Sequence, residues 1–258
     1  MGIILGNINE IAFFWYGLIL SITILVAIFF ILKNKTNEID IENIIDISIY
    51  GIVTGLIVGR LLFVMNNLVI YKKNMWEILY LWQGGLSIYG IAIGVLLTVV
   101  IYCKIKKIEL HKFLDTLSPG MIILLVGEQI ANFISQDVIG NPAESRLSVY
   151  VEYAFRPLGF EQYDFFYPVS IYQAMWLSMV LIITLYMKNR MKNNCFDGFV
   201  FYTSTLLAAA GRFVFGFYYL GGDKGLQIEQ IMSVIIILVI MSLFLYRFKY
   251  IKKNKEWK

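Results

Sequence analysis

Apolar residues run along this chain in blocks of about twenty, separated by short polar stretches. The blocks fall at about 11–32, 47–70, 88–104, 115–134, 169–187, 198–220 and 227–247. A helix needs roughly 20 residues to cross the hydrocarbon of a bilayer. Each block comes close to that length, so the pattern predicts an all-α integral membrane protein with seven transmembrane helices. The stretch 74–87 is too short and too polar for an eighth and reads as a re-entrant or interfacial piece. It contains WQGGLS, and irregular backbone at membrane depth must be buried in protein or line a wet cavity.

Composition agrees. The chain is 59% hydrophobic, against about 45–50% for a soluble domain, and its mean hydropathy is +0.71. The 258 residues show no repeat, low-complexity tract or Pro/Ser linker. They read as one polytopic domain, 1–258, with the longest loop, about 135–168, as an extracytoplasmic lid or arm. Its aromatics, from Tyr150 to Tyr167, suit the headgroup region whether as a lid or as an ordinary aromatic belt.

Loop charge sets the expected orientation. Fifteen Lys and Arg residues fall in one set of loops and the C-terminal tail, and five in the other set. By the positive-inside rule the first set is cytoplasmic. This places the N-terminus outside and the C-terminus in the cytoplasm, and it accounts for the net charge of +4 without a nucleic-acid partner. MGIILGNINEIAF lacks a basic leader and a cleavage site, so the first span reads as a retained helix. Cys103 and Cys195 lie at cytoplasmic helix ends, where thiols stay reduced. His111 is the sole histidine and reads as a cytoplasmic surface residue. No metal-ligand spacing is present, and no cofactor is expected.

Polar groups inside spans are costly and mark function by default. Arg60, Arg212, Glu128, Gln129, Asn132, Tyr16, Tyr89, Tyr172 and Gln173 all fall in the outer half of the predicted spans, with Asp137 just beyond. This clustering predicts a polar cavity open to the outer leaflet or the extracytoplasmic space. Guanidinium groups there match phosphate bidentately, and the phosphates available belong to phospholipid headgroups. A structural reading competes for Arg60, as an ion pair with Glu128 that fixes packing. Gly84 and Gly85 permit a sharp turn and close approach. Amides at the start of the following helix could bind an anion or could simply begin the helix.

These residues resemble prolipoprotein diacylglyceryl transferase, a bacterial inner-membrane family. The resemblance runs through FWYGL at 14–18, VGRLLFV at 58–64, WQGGLSIYG at 82–90, DTLSPG at 115–120, IANFISQDVIG at 130–140, YPVSIYQA at 167–174, AGRFVFGF at 210–217 and QIMS at 230–233. It implies a multi-pass protein of the bacterial inner membrane that moves diacylglyceryl from phosphatidylglycerol to a cysteine of an exported lipoprotein precursor. By the same resemblance Arg212 binds the phosphate, and Asn132 and Gly140 match signature positions. Tyr16 and Arg60 match positions that line the cavity. The expected catalytic set is Arg212, Tyr89, Asn132 and Glu128. The expected substrate-binding set is Tyr16, Arg60, Gly84, Gly85, Ser87, Gln129, Gly140 and Tyr172.

The departures from the family pattern are specific. The histidine after GGLS is Tyr89, the arginine before the NF pair is Gln129, and the HP histidine is Tyr167. The LYE glutamate is Gln173, and the glutamate four residues after the last arginine is Gly216. Glu128 is read as the only acid gained nearby. The departures leave a second reading open, a non-catalytic relative that binds phospholipid or lipopeptide. A channel is disfavoured because few polar residues occupy the cytoplasmic halves of the spans.

Overall fold

The computed structural model describes residues 4–8, 11–35, 39–71, 75–80, 85–136, 138–190, 195–220 and 227–254. Its elements are β1 (Ile4–Ile8), β2 (Ile11–Phe14), α1 (Trp15–Lys33), α2 (Ile41–Asn66), α3 (Leu68–Tyr71), α4 (Ile88–Lys106), α5 (Leu110–Ser135), β3 (Val149–Tyr150), β4 (Phe165–Phe166), α6 (Val169–Arg190), α7 (Phe199–Phe215) and α8 (Ile228–Asn254). Seven of the helices are long and apolar enough to cross a membrane, and they coincide with the seven predicted blocks. This is a multi-pass membrane protein. Two compact units emerge, residues 32–113 and residues 1–31 with 114–258.

Several boundaries differ from expectation. The first helix begins at Trp15, because Ile11–Phe14 pairs antiparallel with Ile4–Ile8. Ile and Phe favour strands, and hydropathy cannot separate this apolar strand from the helix it feeds. The second helix stops at Asn66, where the Asn67 side-chain amide donates to Phe63 O at 2.9 Å and α3 follows separately. It starts earlier than expected, since Asp46 is accommodated by a 2.8 Å hydrogen bond from Tyr102 Oη. Within the stretch expected to be too short for an eighth span, residues 75–79 form a short 3-10 helix.

Within residues 32–113, α2 and α4 meet along small residues. A Cβ at Gly90 would stand 2.7 Å from Gly59 Cα, and one at Gly94 would stand 2.7 Å from Thr54 O. The hydroxyls of Thr54 and Thr98 hydrogen-bond across this seam. Such close approach lets dispersion hold helices together where lipid offers no hydrophobic drive.

In the other unit α5 is the central helix. Its span is 56% buried, whereas those of α1 and α8 are 11% buried and present apolar side chains such as Leu25 and Leu238 outward, as lipid requires. Gly120 and Gly127 admit Ile31 and Thr23 of α1. Pro119 interrupts the α5 ladder and deprives the Asp115 carbonyl of its usual donor. Ser118 Oγ supplies one at 2.9 Å, so no bare carbonyl is left at membrane depth. The Asp115 carboxylate reaches the start of α7, accepting from Gly198 N at 2.7 Å and Phe201 N at 2.8 Å. It thereby satisfies two of the amides a helix start leaves open.

Candidate active site

The α5–α8 unit gathers its polar groups around Arg212, three residues before the end of α7. Nη1 lies 3.8 Å from Glu128 Oε2 on α5, and Nη2 lies 3.8 Å from Glu229 Oε2 on α8. The guanidinium therefore stands between two carboxylates on two different helices. Glu128 is itself oriented by amides. Gln129 Nε2 donates to its Oε2 at 3.0 Å and Asn132 Nδ2 to its Oε1 at 3.4 Å. Gln129 is 1% exposed and its Oε1 has no hydrogen-bond partner among the described residues. Gln129, expected to touch substrate, thus holds Glu128 in this structure.

Three of the expected residues join this cluster, Arg212, Glu128 and Asn132, with Gln129 behind them. The competing reading that paired Arg60 with Glu128 is not the arrangement observed: the described ion-pair partner of Glu128 is Arg212. Glu128 is not the only acid gained beside Arg212: Glu229 of α8 is a second, absent from the expected site. Glu229 lies in the predicted last span, so the signal that singled out Glu128, a charge within an apolar block, was present for it as well.

Gly140 supports the site from outside the helices. Residues 139–142 run between the end of α7 and the end of the arm. Gly140 bridges Tyr219, Leu220 N donates to Ile139 O at 3.3 Å, and Tyr167 N donates to Asn141 O at 3.1 Å. A Cβ at Gly140 would fall 2.6 Å from Tyr167 O, so only glycine fits. Tyr172 donates to Leu147 O at 3.1 Å and ties α6 to the arm. Tyr16 is the second residue of α1 and half-buried. A groove of about 600 Å³ opens beside the cluster. Glu229, Tyr219 and Gln136 line one part, and Ala154, Phe155 and Pro157 of the arm line another.

The arm is braced internally by Arg156. Its Nε donates to Val151 O at 3.0 Å, Nη1 donates to Glu161 O at 2.9 Å, and Nη2 pairs with Asp164 at 2.6 Å. Tyr150 and Tyr153 flank the guanidinium at 5.6 and 5.5 Å.

In the 32–113 unit Arg60 is 5% exposed and grips backbone. Nε donates to Ile78 O at 2.8 Å, Nη2 donates to Glu77 O at 2.6 Å, and Nη1 donates to Gly85 O at 3.0 Å. The ring of Tyr71 lies 5.3 Å away. Arg60 therefore ties α2 to the segment before α4. Gly85 has φ +78°, and a Cβ there would meet Arg60 Nη1 at 2.9 Å, which accounts for this glycine. Ser87 caps α4, accepting from Gly90 N at 3.3 Å, and its own amide donates to Gly59 O at 3.0 Å. The amides of Ser87 and Gly90 are thus engaged within the protein, as a plain helix start would have them. Tyr89 is the second residue of α4 and half-buried. Gly84 and Asp137 lie outside the described residues.

A multi-pass membrane protein with one arginine framed by acids and amides, beside a groove under a braced arm, is the class these features define. A family model for prolipoprotein diacylglyceryl transferase matches residues 3–246, and the chain belongs to that family of transferases. A phosphatidylglycerol–prolipoprotein diacylglyceryl transferase from Prochlorococcus marinus subsp. pastoris is 30% identical, with 96% of this chain and 93% of that protein covered. One from Listeria monocytogenes is 26% identical over 93% of this chain and 88% of the relative. The Thermotoga maritima protein of the same name is 30% identical over 70% of this chain, a stretch spanning 62% of that relative's length.

Proposed function

We propose that this chain transfers a diacylglyceryl group from phosphatidylglycerol to a cysteine of an exported lipoprotein precursor, at the outer face of a bacterial inner membrane. The cytoplasmic excess of Lys and Arg supports an N-terminus outside and a C-terminus inside. The observation that carries the reading is Arg212, the sole described arginine of the α5–α8 bundle held near a helix end among carboxylates and amides. Its planar fork suits the phosphate of the lipid. It would stabilise the charge that develops on the leaving glycerol phosphate as the thiol attacks the glyceryl carbon.

The residues around it divide the remaining work. Gln129 and Asn132 hold Glu128, and Glu128 holds the guanidinium against free rotation. Tyr16, Tyr172 and Gly140 belong to the substrate-binding set, Gly140 through the backbone it allows. Tyr89, Ser87, Gly84 and Gly85 are assigned to the site on the resemblance, with Tyr89 as a hydrogen-bond or proton donor. A phenol hydroxyl in that role gives a proton rather than takes one, so the thiol proton needs another acceptor.

Complementation tests the reading. In a bacterium whose own transferase can be shut off, this gene shifts prolipoprotein mass by one diacylglyceryl unit. Arg212→Ala lowers the rate about a hundredfold or more, as loss of a charge-assisted contact in a desolvated site commonly does. A well-expressed protein that produces no shift leaves the alternative, a lipid- or lipopeptide-binding relative without turnover. Phosphatidylglycerol binding dependent on Arg212 would be its mark.

A further inference from the structure

The two carboxylates beside Arg212 are not equivalent. Glu128 is 8% exposed, and both its oxygens accept from the neighbouring amides of Gln129 and Asn132. Hydrogen bonds to both oxygens hold that carboxylate in place. The Glu229 side chain is 41% exposed and stands in the first turn of α8. Its Oε2 has no hydrogen-bond partner among the described residues, with Arg212 Nη2 at 3.8 Å its described ion-pair partner. It also lines the groove beneath the arm, where a second substrate has room to approach.

Charge accounting gives this asymmetry a meaning. One guanidinium and two carboxylates carry a net charge of −1. The phosphodiester enters with one further negative charge and leaves as a phosphomonoester carrying about two. A site already negative opposes that gain unless one carboxylate is neutralised during the step.

We infer that Glu229 is the base of the reaction, released from Arg212 as the lipid phosphate takes its place and then accepting the proton of the attacking thiol. The inference rests on the transferase reading above. In the step, the thiol proton moves to Glu229, and the sulfur electron pair forms the S–C bond. The C–O bond to phosphate breaks and its electrons leave with the phosphomonoester. One negative charge disappears at Glu229 as one appears on the leaving group, so the total charge of the site is constant. The proton then passes to water in the groove or to the departing phosphate. Glu128, anchored by two amides, stays as the permanent partner of Arg212.

The test uses the full-length protein in phosphatidylglycerol vesicles with a synthetic peptide bearing a single acceptor cysteine, and follows glycerol phosphate release. Glu229→Gln lowers kcat by about 10²–10⁴-fold, the usual contribution of a positioned base. It leaves KM for phosphatidylglycerol equal or lower, because a competitor for Arg212 has lost its charge. Glu229→Asp recovers part of kcat. The deficit of Glu229→Gln shrinks as pH approaches the ordinary thiol pKa of about 8.5. The titratable and charged groups around Glu229 are Arg212 of α7, Glu128 of α5, Tyr219 and, across the groove, Arg156 of the arm. A Glu229→Gln protein with kcat within threefold of wild type overturns the inference. So does one that loses phosphatidylglycerol binding together with turnover while Glu229→Asp behaves the same, since that pattern is structural. A wild-type protein that releases no glycerol phosphate overturns the transferase reading and this inference with it. Turnover in wild type matched by Glu229→Gln removes the inference alone.

Discussion

Gln230 occupies the volume that a side chain at Gly216 would need. A Cβ built at Gly216 would stand 2.9 Å from Gln230 Cδ and closer still to its Cγ. Gln230 is fully buried, accepts from Gln227 N at 2.9 Å and donates to Phe213 O at 3.4 Å. It thereby joins the last turn of α7 to the first turn of α8. The acid at the position of Gly216 in the family pattern has no room here, and Glu229, the neighbour of Gln230, brings a carboxylate to Arg212 from the other helix.

Gly216→Ala is expected to destabilise the protein by about 1–3 kcal/mol, as overpacking does. Gln230→Ala also destabilises it. The double variant should lose less than the sum, because the two changes act on one volume. Thermal unfolding in detergent reads all three. Strict additivity would mean that the residues do not compete for space.

Arg60→Lys keeps the charge and loses the planar fork. A single ammonium cannot serve the separate carbonyls of Glu77, Ile78 and Gly85. The segment 75–80 should then exchange its amides faster by at least tenfold, with about 2–3 kcal/mol lost from a buried charge-assisted network. Unchanged exchange would show that the 3-10 turn stands without Arg60.

Arg156→Ala removes the brace of the arm. The expected result is rapid proteolysis between residues 150 and 166 while the helices stay intact, with about 2 kcal/mol lost locally. If the arm supplies a wall of the acceptor site, KM for the peptide should rise more than KM for phosphatidylglycerol. Equal effects on both would argue against that wall.

Burial, with the charge of Asp115 acting the same way, pushes the Cys195 thiol above its ordinary range. A raised thiol pKa lowers the thiolate fraction at neutral pH, and thiolate is the reactive form. Alkylation of Cys195 should be slower than that of an unstructured thiol at pH 7, and the gap should close as pH rises. Asp115→Asn removes the charge and moves the rate toward the ordinary value.

The seven spans are legible in the sequence because length and apolarity alone decide them. The hairpin at the N-terminal end is not, because Ile11–Phe14 is as apolar as the helix it precedes. Arg60 and Arg212 both stand out as charges inside apolar blocks, yet their roles diverge in the structure. The acceptors of Arg60 are backbone carbonyls, which a sequence does not display. The acids of Arg212 come from α5 and α8. Glu229 was legible by the same rule as Glu128 and was obscured by its place at a helix start, where a charge passes for an end residue. Asp115 caps a helix whose N-cap residue, Gly198, lies 83 residues later, beyond any local pattern.

That cap has a geometric consequence. Thirteen residues separate Asp115 from Glu128 on α5, and fourteen separate Gly198 from Arg212 on α7. At about 1.5 Å per residue both intervals measure roughly 20 Å. Two rungs of one ladder therefore join the same pair of helices, a capped amide below and an ion pair above. Neither helix can slide by a residue without breaking both rungs. The depth at which Arg212 meets the membrane is gauged from the far end of its own helix, and a lesion at Asp115 would be read out as a mis-set arginine about 20 Å away.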